Sequence, residues 1–179
     1  MNIFTFPFDS EGFYARPDTS VSEERVFYVP DGIEEIVAVP FLYCKIERAG
    51  KAVKAQFARR HYSMCGYGIH FCAADICCCR SPLEKLLCNS LDNSTFISPT
   101  FNASELAFAI PSKSFDIERF SKAIETVSKF MSLRTGDILA IEMPVLQRMK
   151  KSQIKEDNHG KTCGDLSAEY GDLNVQVIF

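Results

Sequence analysis

The eight residues from Ile36 to Tyr43, IVAVPFLY, are all apolar or aromatic. A strand that shows one face to water alternates apolar and polar side chains; a strand without alternation has both faces covered. This run therefore asks for a sheet with material packed on either side. A chain of 179 residues is long enough to build such a core. Pro40, inside the run, has no N–H for a ladder, so an edge position or a bulge is expected there.

The neighbouring segments fit that sheet. Val26 to Pro30 reads as a short strand stopped by proline and the Asp31-Gly32 turn. After the turn at Ala49-Gly50-Lys51, residues 52–64 carry Val53, Phe57 and Tyr62 at helical spacing, which predicts an amphipathic helix ending before Gly66. Gly66 to Arg80, GYGIHFCAADICCCR, opens as a strand with Ile69, Phe71 and Ala73 against His70, Cys72 and Ala74. Ile117, Phe120, Ile124 and Val127 predict a second helix, with Asp116 as its cap and Gly136 beyond its end. Asp137 to Met143 reads as a strand, Gln147 to Thr162 as a polar loop. The chain ends in a hairpin turning at Gly171-Asp172, with Leu173, Val175 and Val177 on one face. The expectation is an α+β, mostly β protein, a mixed sheet with two short flanking helices, forming a single domain over residues 1–179.

Several classes are disfavoured. Net charge is −3 with acids and bases interspersed, so no basic stripe points to nucleic acid. No apolar run is long enough to span a bilayer. The first residues lack a basic region followed by a long apolar one, so no signal peptide is expected, and the cytoplasm is the expected compartment. Eight cysteines are then read as thiols.

The stretch from Gly66 to Arg80 concentrates Cys, His and Asp, which raises metal and thiol chemistry. His70 and Cys72, two apart on a strand, share a face and could chelate together. Zinc sites usually add a second ligand pair at a C-x2–4-C spacing, and none follows. A nucleophilic cysteine needs a base in reach, and spacing does not choose among His61, His70 and His159. Cysteines as small buried apolar residues are the plainer reading.

Ser128 to Pro144, SKFMSLRTGDILAIEMP, resembles the late signature of the fumarylacetoacetate hydrolase family, FMTLxxGDxIxTGTP. Upstream, FLYCKIERAGKAVKAQFARRHYSMCGYGIHFCAADI resembles the family pattern ExExxVxIxxxGKxIxxxxAxxYxxxxxxGxDxTARDxQ. LLCNSLDNSTFISP resembles xxCKxFDxSxPxxP. The likeness runs from about Val26 to the C-terminus, while residues 1–25 form a shortened, divergent segment without the family's N-Y-x-x-H…E region. It implies the family's sheet roll or barrel, and a homodimer.

The same register removes the family's chemistry. Three carboxylates there hold magnesium or manganese, which chelates a 2-oxo acid or diketone. The two glutamates fall here on Val39 and Phe41, and the aspartate on His70. Arginine falls on Ala74, glutamine on Cys77, and lysine on Asn89; Asp75 and Asp92 keep their type. The T-G-T-P turn becomes Ile141-Glu142-Met143-Pro144. Hard cations want several oxygen ligands, so the resemblance implies a lost metal site and no cofactor. Three readings stay open. One is a non-catalytic protein holding a small ligand or a partner in the old cleft, near His70 and Arg80. Another is a hydrolase or lyase acting on a 2-oxo acid or acylpyruvate through a rebuilt, metal-independent site at His70, Asp75, Asp92 and Glu142. The third is a thiol-based metal or redox role.

Overall fold

The computed structural model describes residues 1–8, 12–74, 86–105, 115–153, 155–156, 162–163 and 166–179. Its centre is the apolar run, now strand β4 (Glu35–Lys45), buried at every position from Ile36 to Cys44. β4 pairs antiparallel with β5 (Met64–Ala73) along nearly its whole length, Val39 standing opposite His70. On its other edge it meets two strands in turn: β8 (Ile138–Glu142) along Phe41 to Lys45, and β9 (Gln147–Lys150) along Glu35 to Ala38. Pro40 sits at the break between those two partners. Its carbonyl accepts from the Met143 N–H at 2.8 Å, so its nitrogen faces the same interrupted edge, where no ladder bond is lost. The expected irregularity at Pro40 thus belongs to the neighbours; β4 itself is central.

The sheet is completed by β1 (Ile3–Phe6), parallel to β8, and β2 (Tyr14–Arg16), antiparallel to β1. At the other side β6 (Thr95–Ile97) and β7 (Phe101–Asn102) pair with β5. A second sheet joins β3 (Val26–Tyr28) to the hairpin of β12 (Leu166–Tyr170) and β13 (Leu173–Ile178). A two-stranded ribbon, β10 (Lys155–Glu156) with β11 (Thr162–Cys163), stands apart. The result is the mostly β, curled sheet that was expected.

One face of the main sheet carries two cores. Around Leu42, Cys44, Leu139 and Ile141 it is covered by helix α1 (Glu118–Phe130), whose Phe120, Ile124 and Val127 are buried. Each such side chain contributes about 1.5–3 kcal/mol by leaving water. Asp116 caps as expected: its Oδ1 accepts the Glu118 N–H at 2.9 Å and its carbonyl the Arg119 N–H. Around Ile36, Ala38, Ile69 and Phe71 the cover is the second sheet, through Phe27, Val175 and Val177. The other face is buried too, Phe41 and Tyr43 with Ile3, Ile138 and Ala140, and Val37 and Val39 with Cys72 and Ala74, which is why β4 has no polar alternation.

Two local expectations change. The first helix is a 3-10 helix over Ala55–Arg60, with Phe57 exposed rather than on a buried face. The segment is short because Val53 and Tyr62, its real anchors, are already fixed outside it; the Val53 N–H donates to Ser128 Oγ at 2.9 Å. The polar segment after Pro144 is not all loop: β9 lies in it, held by Met149, which is fully buried against the second core. Gly136 lies beyond the end of the second helix, as expected. It has φ +92 in the turn from Arg134 to Asp137, a left-handed position that suits glycine.

Candidate functional site

On the opposite face, the register gathers side chains from six strands, β1, β2, β4, β5, β6 and β8. Val39 and His70 are direct partners; Phe41 faces Gly68 on β5 and Glu142 on β8; Thr95 on β6 faces His70. Val39, Phe41 and His70, on which the sequence resemblance sets the family's carboxylates, therefore stand together. Val39, Phe41 and His70 are all buried, and the Phe41 ring stacks on the imidazole at 5.2 Å between centroids. Gly68 makes this possible, since a Cβ there would overlap the Phe41 ring.

Polar groups surround the stack. Glu142 Oε1 lies 3.0 Å from His70 Nε2 and accepts the Tyr14 hydroxyl at 2.6 Å. The other ring nitrogen of His70, Nδ1, has no hydrogen-bond partner among the described residues, and Thr5 Oγ1, on the same face, is likewise buried without one. Arg16 is almost fully buried. It donates from Nη2 to Ser94 Oγ at 2.8 Å and from Nε to Thr95 Oγ1 at 3.2 Å, and its Nη1 stands 3.9 Å from Cys72 Sγ. Cys72 in turn meets Asn89 Oδ1 at 3.0 Å.

Burial, with the Arg16 charge behind it, pulls His70 down to about 4 against the opposing pull of Glu142. Burial works against the Glu142 charge too, but the facing imidazole, the Tyr14 hydroxyl and Arg16 outweigh it, and its pKa falls below the usual value. At neutral pH the contact is a carboxylate beside a neutral ring, not a salt bridge. Burial, and then Glu142, push Tyr14 well above the usual phenol range.

Of the expected site residues, Val39, Phe41, His70, Glu142 and Asn89 meet on this face. Asp92 does not: its Oδ1 accepts the Thr19 hydroxyl at 2.7 Å in an exposed loop tie. Asp75, Cys77 to Cys79 and Arg80 lie outside the described residues. The sequence reading missed Tyr14 and Arg16, having treated the first 25 residues as divergent. Tyr14-Ala15-Arg16 does carry a signal, two large hydrogen-bonding side chains two apart on one strand face. It was hidden by the brevity of a three-residue strand.

The donor set does not fit a hard divalent cation. Val39 and Phe41 offer none, His70 offers nitrogen, and among the described residues no three of His, Cys, Asp and Glu gather to hold a metal. Cys44, Cys65, Cys72 and Cys88 are buried thiols. Burial pushes Cys65 up to about 12 and its cross-strand partner Cys44 well above the usual range, away from thiolate chemistry. Among the described residues no helix is long and apolar enough to cross a membrane.

The fold is that of fumarylacetoacetate hydrolase family structures. A protein of Yersinia pestis described as belonging to that family matches with a TM-score of 0.67 at 15% identity, covering 99% of this chain and 92% of that one. The fumarylpyruvate hydrolase of Pseudomonas aeruginosa, solved with Mn2+ and pyruvate, matches at 0.62 and 15%, covering 78% and 76%. The maleylpyruvate hydrolase of Sphingobium sp. SYK-6 matches at 0.62 and 15%, covering 99% and 70%. No family model matches the sequence. No curated protein matches it either. The likeness is one of fold, and chemistry has to be argued from the site.

Proposed function

We propose that this chain is a non-catalytic protein on a fumarylacetoacetate hydrolase-like fold, without a divalent-metal site, which works by binding a small molecule. One observation carries this reading: at the three positions expected to hold metal ligands, an aliphatic group and a phenyl ring pack against a buried, neutral imidazole. Ligand binding is supported by the same face. Among the described residues His70 Nδ1 and Thr5 Oγ1 are buried polar atoms without a partner, each costing about 1–3 kcal/mol unless something hydrogen-bonds to it. A small polar molecule with both donors and acceptors matches that need. A homodimer belongs to the proposal through the family resemblance, and light scattering tests it.

The central test is calorimetric titration with magnesium and manganese. No binding in the micromolar range is expected; tight one-to-one binding would overturn the reading.

The contact of His70 with Glu142 favours a second reading, a metal-independent hydrolase or lyase for a 2-oxo acid or acylpyruvate. Against it, an imidazole near 4 is a weak base at neutral pH. Turnover of acylpyruvates that disappears in His70→Ala would establish this reading over the first.

A further inference from the structure

Charges that are interspersed along the sequence gather in one place in the fold. An open concavity of about 490 Å³ is lined by Arg48, Lys51, Lys54, Arg60, His61 and Phe57, with backbone of residues 49–53 between them. No Asp or Glu lines it, in a chain whose net charge is −3. Some surface cations elsewhere are paired: Arg148 and Lys150 share Glu35, Lys151 meets Glu34, and Lys129 meets Glu125. Among the described residues none of Arg48, Lys51, Lys54 and Arg60 forms such an ion pair.

The walls are fixed by backbone bonds. Gly50 and Leu133 exchange both N–H···O bonds, the Ala52 N–H donates to the Ser128 carbonyl at 2.8 Å, and the Glu47 N–H to the His61 carbonyl at 2.8 Å. His61 Nδ1 is 2.8 Å from the Arg48 carbonyl, which can only accept, so that nitrogen carries the proton. The His61 ring lies against Gly50, where a Cβ would come within 2.7 Å of it. Phe57 is 41% exposed, and the Arg60 guanidinium stacks over one face of its ring, 4.9 Å from the centre. A rigid loop thus presents four cations and one exposed ring on a concavity of small-molecule size.

We propose that this loop binds a small multivalent anion carrying a planar ring, of the class of nucleoside di- and triphosphates. Lys51, Lys54 and the two arginines meet the phosphates, and Phe57 stacks under the ring. The site is separate from the His70 face and stands or falls independently of the function proposed for it.

The test is titration calorimetry of the full chain with ADP and with inorganic tripolyphosphate, at about 0.15 M salt. Saturable one-to-one binding of both is expected, ADP the tighter. Lys54→Glu with Arg60→Glu, at two exposed positions, weakens both by about tenfold or more. Arg25→Glu, at an exposed position lining a different concavity, leaves both unchanged. Phe57→Ala weakens ADP alone. Absence of saturable binding below about 1 mM would overturn the proposal. So would equal loss in Arg25→Glu, or binding confined to oligonucleotides or anionic vesicles. ADP that binds no tighter than tripolyphosphate, or that ignores Phe57→Ala, would overturn the nucleoside assignment.

Discussion

The Phe41 ring lies over the backbone of Gly68, its cross-strand partner, in the space a side chain there would fill. An ideal Cβ on Gly68 would fall 2.7 Å from Phe41 Cε1 and 2.5 Å from the Phe96 carbonyl oxygen. The Phe41 ring must move, and with it the stack on His70, and the backbone carrying the Phe96 oxygen must shift as well. Gly68→Ala is expected to cost about 1–3 kcal/mol in urea unfolding. The paired change with Phe41→Leu, which frees the space, recovers part of that loss. A neutral Gly68→Ala would mean that the ring does not hold this place.

The burial of His70 fixes a sign for the dependence of stability on pH. Its pKa is lowered from 6.5 to about 4, so the unfolded chain takes up a proton that the native imidazole refuses. Above about pH 6.5 both states are neutral and stability is intact. As pH falls from about 6.5 to about 4 the native state loses ground, up to about 3 kcal/mol, and below that the loss levels off. His70→Gln removes this component, so the gap between wild type and variant narrows on acidification. A gap independent of pH over that window would refute it.

Asp137, the last residue of the RTGD turn, is buried and ties that turn to the start of the chain. Oδ1 accepts the Asn2 N–H at 2.9 Å and its Nδ2 at 3.1 Å, and Oδ2 accepts the Arg134 N–H at 2.8 Å. Asp137→Ala is expected to lose about 2–4 kcal/mol. Asp137→Asn, which keeps one carbonyl acceptor, should lose less. Hydrogen exchange at Ile138, whose N–H donates to the Asn2 carbonyl, should accelerate in step.

If Val39, Phe41 and His70 occupy the metal-ligand positions of the resembling family, restoring carboxylates should restore metal dependence. The triple change Val39→Glu, Phe41→Glu and His70→Asp buries three charges and should lower the melting temperature without metal. Manganese should then raise the melting temperature of the variant by several degrees and leave that of the wild type where it was. A variant that folds and ignores manganese would break the register argument.

How much of this was legible follows from how each element is held. β4, β5, β13 and α1 announce themselves because their burial has a period, and Val39, Phe41 and His70 could be aligned because they sit on such strands. β9 gave no signal. Its one buried apolar residue, Met149, has no periodicity, and its strand conformation comes from pairing with Glu35 to Ala38. The helix expected over 52–64 failed because alanines at close spacing suit a 3-10 turn as well as an α-helix. The polar half of the site was invisible for a different reason. Tyr14 meets Glu142 across a separation of 128 residues, and nothing local in either segment specifies that meeting. The cation cluster was overlooked because charges were judged along the chain, where Glu47 dilutes them, and not around a loop.

The N-terminal strands set an order of assembly. β1 finds its parallel partner β8 starting at Ile138, and β3 finds β13 starting at Gln176. β1 cannot join its sheet until β8 has been made, nor β3 until β13, whereas the β4–β5 pair can form as soon as residue 73 is available. Contacts between such distant segments are slow to form. During synthesis His70 is therefore placed early, while Tyr14 and Arg16, on β2, wait with β1 for β8. A chain cut short before β8 would carry the imidazole and the Phe41 ring without the carboxylate that faces them. Completion of the polar cluster thus records that translation has run past Glu142.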